Sequence, residues 1–187
     1  MTVRRNDSRR EAAPGGEAPR AVGPVVSSAH LAASDVPELS EVEFAITMAH
    51  HAFQRWMTRC MTAAGAPGMA PLEVLVLHLV HHRERPKTLA DICLVLNVED
   101  THLVNYALRK LAGHGLVKTG RKGKEKTVAI TPAGADLCAR YARVREALLV
   151  RGVAAGGLDP SEMTRLAALL RALSGSYEQA ARAAAAL

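Results

Sequence analysis

Five residues between positions 101 and 109 can exchange hydrogen bonds from one side of a helix: Thr101, His102, Asn105, Tyr106 and Arg109. Asparagine can pair through two bonds with an adenine edge, and arginine with a guanine edge. A few positions on, Lys118, Arg121, Lys122, Lys124 and Lys126 stand against a single acid, Glu125. Such a strip repels itself and suits phosphate. The chemistry these residues offer is recognition of a polyanion with readable edges. The expected contact set is Thr88, Thr101, His102, Asn105, Tyr106, Arg109, Lys110, Arg121, Lys122, Lys124 and Lys126.

Two helices and a hairpin must position that set. Leu89, Ile92, Cys93 and Leu96 repeat at the spacing of one helix face. Thr88 with Asp91 reads as a capping box before them. Asn97-Val98-Glu99 interrupts the pattern, and Asp100 can cap a second helix. Val104, Ala107, Leu108 and Leu111 form its apolar stripe, and Gly113 and Gly115 end it. An extended segment from Leu116, a turn over Gly120-Arg121-Lys122-Gly123 and a return strand Lys126 to Ile130 complete a basic hairpin. Helix, turn, helix, glycine stop and hairpin together predict a DNA-binding helix-turn-helix.

Long helices flank this region. Ser40-Glu41-Val42-Glu43 reads as a capping box opening a helix to about Ala63, with Val42, Ile46, Ala49, Phe53, Trp56 and Cys60 as its stripe. That helix is apolar over so much of its surface that a second chain is expected to cover it. Pro71 opens a nearly continuous apolar helix through Val80. Thr131-Pro132 opens another, with Leu137, Tyr141, Val144 and Leu148 on its buried side. Ala155-Gly156-Gly157 breaks it, and Asp159-Pro160-Ser161-Glu162 opens the last helix, whose face carries Leu166, Leu170, Leu173 and Tyr177.

The bulk of the chain is consistent with this reading. Its 187 residues suit one domain with extensions, and only 3% are aromatic, so the core must come from Leu, Val, Ala and Met. The net charge is +6, yet the first 38 residues set five arginines against five acids. The excess charge therefore lies beyond the tail. Residues 1–37, rich in Arg, Ala, Gly and Pro, read as a disordered tail, with Arg4 to Arg10 a plain tail before a minor-groove arm. No apolar run reaches the ~20 residues of a membrane span, and no signal peptide is visible. Three widely spaced cysteines, Cys60, Cys93 and Cys138, read as buried thiols of a cytoplasmic protein.

Other constellations carry less. His78, His81 and His82 cluster, and His50-His51 lie on the first long helix. Zinc takes about four ligands, and no Cys-x-x-Cys or nearby carboxylate completes a set. Neither a metal nor a cofactor is expected. No phosphate-cradling loop, nucleophile elbow or carboxylate pair points to catalysis, so no catalytic residue is assigned.

The organisation from about Ser40 to Ala181 resembles the MarR family of winged-helix transcription regulators. The likeness rests on Leu89-Ala90-Asp91-Ile92, Val104 to Leu111, Gly115-Leu116-Val117, the basic hairpin and Thr131-Pro132-Ala133-Gly134. Three features depart from the family: a longer turn at Asn97-Val98-Glu99, acids at Glu99 and Asp100, and Gly120-Arg121 in the wing in place of the common Asp before its arginine. The resemblance implies a mainly α fold with a small β-wing. It divides the chain into a tail (1–37), an N-terminal dimerisation helix (38–66), a winged helix-turn-helix domain (67–131) and C-terminal dimerisation helices (132–187). It also implies a homodimer built on Val42, Ile46, Phe53, Leu166, Leu170, Leu173 and Tyr177, a pseudo-palindromic double-stranded DNA site and a small-molecule effector. The alternative is a winged-helix module that binds protein or effector and has lost specific DNA binding.

Overall fold

Proline fixes φ and lacks an N–H, so it starts helices at no cost in hydrogen bonds. It does so repeatedly in the computed structural model of this chain, which describes Gly23, residues 25–157 and residues 159–187. The described residues fall into two compact units, one ending at His50 and the other running from His51. Helix α1 (Ala29–Ala32) lies in the first, and α2 (Pro37–Ala63) begins there and ends in the second. The second unit also holds α3 (Pro71–His81), β1 (Lys87–Thr88), α4 (Leu89–Leu96), α5 (Thr101–Gly113), β2 (Val117–Lys122) and β3 (Glu125–Ile130). It ends with α6 (Pro132–Arg145), α7 (Arg151–Ala155) and α8 (Pro160–Ala184).

The first unit corrects one expectation. Helix α2 starts at Pro37, so Ser40 stands inside the helix and does not cap it. The Ser40 hydroxyl instead donates to Leu31 O at 2.8 Å, and Glu41 Oε1 accepts from the Val25 N–H at 2.8 Å. The proline already supplies the helix start, which frees the serine to hold the α1 turn. That turn lies within the span expected to be disordered. Residues 1–22 of the expected tail, including Arg4 to Arg10, lie outside the described residues.

The core of the second unit gathers one stripe from each helix of the motif. Met57, Cys60 and Met61 of α2 pack with Val74, Leu77 and Val80 of α3, Ile92 of α4, and Val104, Ala107 and Leu111 of α5. Val117 and Val128 of the sheet and Leu137, Cys138 and Tyr141 of α6 close it. Helix α8 contributes no buried residue to the single chain. The sheet is antiparallel in the order β1-β3-β2, with Lys87 opposite Val128 and Lys122 opposite Glu125.

Short-range caps set the motif's boundaries. Thr88 Oγ1 accepts from the Asp91 N–H (3.1 Å), and the Thr88 N–H donates to Asp91 Oδ2 (2.9 Å). Asn97 ends α4 in the left-handed region (φ 53°), and Asp100 Oδ1 accepts from the His102 N–H (2.8 Å) at the start of α5. Thr131 caps α6 by accepting from the Gly134 N–H (3.1 Å), and its hydroxyl donates to Gly115 O (2.7 Å). A β-carbon on Gly134 would overlap Leu116 O and stand 2.7 Å from Ile130 Cδ1. Helix α6 can cross the base of the hairpin only because residue 134 has none.

Two further expectations are corrected here. The hairpin turns at Gly123-Lys124, whereas Gly120, Arg121 and Lys122 belong to β2. Gly123 has positive φ (62°) in the first place of a two-residue loop, the geometry tight hairpins favour. Leu148 is 66% exposed and lies off the buried side of Leu137, Tyr141 and Val144. A π-helical stretch, Glu146–Val150, follows α6. Its wider turn rotates the face that a regular helix would have kept inward.

Candidate nucleic-acid interface

Helix α5 docks its apolar stripe on the core and leaves Thr101, His102, Asn105, Tyr106 and Arg109 exposed. Tyr106 stands 57% exposed, with the Arg109 guanidinium 6.0 Å and the Lys110 ammonium 5.8 Å from its ring centre. Leu103, absent from the expected set, is also 53% exposed. An apolar residue on such a helix suits the methyl group of thymine. It lies outside the stripe of Val104, Ala107, Leu108 and Leu111, and a leucine offers no hydrogen bond to mark it as a base-reading residue.

Thr88 and Lys110 are placed differently from the rest of the set. Thr88 is committed to its capping box, and its N–H and hydroxyl hold the Asp91 carboxyl below the usual carboxylate range. Lys110 Nζ lies 2.7 Å from Glu73 Oε1, with the two side chains 35% and 4% exposed. That hydrogen bond raises the Lys110 pKa above its ordinary value. Glu73 also caps its own helix, Oε2 accepting from the Ala70 N–H at 3.1 Å. The cap could be read from Ala70-Pro71-Leu72-Glu73, but the partner on α5 could not.

The wing presents its cations on both faces. Arg121 lies directly across the ladder from Lys126, and Lys122 across from Glu125. Opposed residues share a face, so Arg121 and Lys126 share one and Lys122 the other. Arg121, Lys122, Lys124 and Lys126 are all exposed, and so is Lys118 at the base. Like charges set opposite each other weaken a hairpin, so this pair favours a bound anion.

Behind the motif lies a second feature, a cavity of about 510 Å³ lined by Phe53, Trp56, Leu75, His78, Tyr141 and Arg145 among others. Among the described residues, His78 Nε2 and His81 Nδ1 are buried there without a hydrogen-bond partner. The His78 ring packs edge-on to Tyr141 at 4.5 Å, and burial, then the charge of His81, lowers its pKa. Burial pushes the Cys138 thiol up to about 11 and the Tyr141 hydroxyl up to about 12. Cys60 is raised for the same reason, so neither Cys60 nor Cys138 is poised as a thiolate. Among the described residues, no three His, Cys, Asp or Glu side chains group closely enough to hold a metal ion.

Of the residues expected to join two chains, Phe53, Leu166, Leu170 and Tyr177 are exposed in the single chain, and Val42, Ile46 and Leu173 are half-buried. Among the described residues, no helix is long and apolar enough to cross a membrane.

Residues 69–134 match the family described as Winged helix DNA-binding domain. No curated protein matches the chain. Solved structures do. A mutant MarR from E. coli complexed with operator DNA is 18% identical with a TM-score of 0.61, covering 75% of this chain and 99% of its own. A MarR-family transcriptional regulator from Rhodococcus sp. RHA1 is 16% identical at 0.58, covering 71% and 91%. CouR from Rhodococcus jostii RHA1, bound to p-coumaroyl-CoA, is 14% identical at 0.56, covering 71% and 90%. The fold is therefore mainly helical with a small antiparallel wing, the winged-helix fold of the MarR regulators.

Proposed function

We propose that this chain is a homodimeric, sequence-specific DNA-binding transcription regulator of the MarR type, a repressor or effector-responsive regulator working in the cytoplasm. Helix α5 enters the major groove of a pseudo-palindromic site, and the wing follows the phosphate backbone. One observation carries the reading: a single helix turns five hydrogen-bonding side chains outward, beside a hairpin that opposes Arg121 to Lys126. Bound phosphate relieves that opposition. The E. coli MarR that shares this fold was complexed with operator DNA, which supports the same use here.

Dimerisation accompanies the reading. Helix α8 carries Leu166, Leu170, Leu173 and Tyr177 with no buried residue in the single chain. A second copy covers such a face. The cavity beside His78 and Tyr141 is the place for a small effector, as the CouR relative bound to p-coumaroyl-CoA supports.

An electrophoretic shift with the DNA upstream of the chain's own gene tests the reading. A retarded band that resists random competitor supports it, and no band at low salt sinks it. A second reading, a protein-interaction module, has one observation in its favour. Leu94 and Val95 of α4 are 81% and 64% exposed.

A further inference from the structure

Glu73 holds both of its carboxylate oxygens in defined bonds. Oε2 caps α3 through the Ala70 N–H, and Oε1 meets Lys110 Nζ at 2.7 Å. The side chain is only 4% exposed, so this carboxylate lies inside the protein and its partner stands at the surface. Lys110 belongs to the last turn of α5, on the helix that offers Tyr106 and Arg109 outward. The ammonium lies 5.8 Å from the centre of the Tyr106 ring, and the Arg109 guanidinium 6.0 Å from the same centre. The result is a chain of contacts running from the interior to the exposed face: Glu73, Lys110, Tyr106, Arg109.

We propose that Glu73 is a specificity-determining positioning residue, which withholds Lys110 from the phosphate backbone and through it fixes the Tyr106 ring on the reading face. The inference rests on the DNA-binding reading given above. A lysine at this position with a free ammonium would add affinity for every duplex alike, since phosphate contacts carry no sequence information. Tied to a buried carboxylate, it adds none. It serves as a fixed positive charge against an aromatic face, an arrangement in which the ring is attracted and held. Holding Tyr106 in turn limits the directions open to Arg109 beside it. The sequence-independent cations are thus left to the wing, and α5 keeps its contacts for base edges.

The test uses the full chain and two fluorescent duplexes of equal length, one from the region upstream of its own gene and one of random sequence. Affinities are measured across a salt series for wild type, Glu73→Gln and Lys110→Gln. Glutamine at 73 can still accept from Ala70 but no longer binds an ammonium. The freed lysines of a Glu73→Gln dimer should steepen the log–log salt slope by about two, near 0.9 for each phosphate gained. The ratio of specific to random affinity should fall about fivefold or more as Tyr106 loosens. Lys110→Gln should lose the same discrimination with an unchanged slope, and it does not depend on how well Glu73→Gln folds. A merely structural role would lower thermal stability in both variants and leave slope and ratio alone. Wild type that binds DNA, with a Lys110→Gln slope flattened by about two, overturns the proposal by itself. So does an undiminished ratio in folded Lys110→Gln. Wild type that retains neither duplex at low salt overturns the DNA-binding reading, and the proposal falls with it.

Discussion

The Asn97 side chain donates from Nδ2 to Oε1 of Glu178 at 2.8 Å, joining residues 81 positions apart. Asn97 ends α4 with φ 53° and ψ 47°, a left-handed conformation that costs most L-residues about 1–2 kcal/mol. Asparagine tolerates it better than most because its short amide can bond nearby. Here that amide reaches α8 instead. The turn of the DNA-binding motif is thereby tied to the C-terminal helix. Asn97→Gly should keep the turn and lose only an exposed bond, within about 0.5 kcal/mol of wild type. Asn97→Ala should cost about 1–2 kcal/mol. Urea unfolding that ranks the two variants the other way would show that the bond to Glu178, and not the left-handed turn, governs stability at this position.

In the wing, the Arg121–Lys126 opposition gives a prediction with two signs. Lys126→Glu turns a repelling cross-strand pair into an attracting one, stabilising the free protein by about 0.2–1 kcal/mol. The same change should weaken binding to all duplexes. Replacing Arg121, Lys122 and Lys124 with alanine should flatten a wild-type log–log salt slope of roughly −5 to −7. Calorimetry and anisotropy on the same samples separate these effects. A stabilised variant with wild-type affinity would remove the wing from the DNA.

Asn105→Ala and Arg109→Ala change side chains that α5 exposes and the core does not use. Each should lose about 1–3 kcal/mol of discrimination between specific and random DNA, with melting temperature almost unchanged. Wild-type discrimination in both would move the reading face elsewhere.

Leu170 is exposed on α8 in the single chain. A glutamate there should yield monomers and weaken DNA binding, because two linked half-sites bind more tightly than one. Sedimentation showing a monomeric wild type at micromolar concentration would contradict the dimer.

The pKa of His78 lies below its ordinary 6.5, chiefly through burial. As pH falls through about 6.5, the unfolded chain takes up this proton before the folded one. The contribution of His78 to stability is therefore full above that value and is lost as the medium turns acid. The urea midpoint should fall from pH 7 to pH 5, and more gently in His78→Gln. Equal slopes in the two proteins would assign the effect to other groups.

Contacts within three or four residues were legible in the sequence. Thr88 with Asp91 and Asp100 before α5 declare helix starts through local hydrogen bonding, Thr131-Pro132 declares one through the proline, and each start is found. Ser40 misled because Pro37 had already started the helix. Gly120 misled because a glycine among cations resembles a turn, whereas it pairs with Thr127 inside the ladder, where a β-carbon would stand 3.3 Å from Thr127 Oγ1. Leu148 misled because a π-turn carries no sequence mark that periodicity can register. The Glu73–Lys110 pair lay beyond reach for another reason. Local pattern places both residues on helices but says nothing of which helix ends meet.

The gap at Gly134 bears on the heredity of this chain. Every amino acid other than glycine brings a β-carbon, and there that carbon would overlap the Leu116 carbonyl oxygen. Base changes in this codon are thus silent or ruinous, with no graded middle. In a saturation library selected for function, position 134 should be a blank column. The exposed loop glycine at 123, with open space around it, should admit asparagine and aspartate, which tolerate its positive φ.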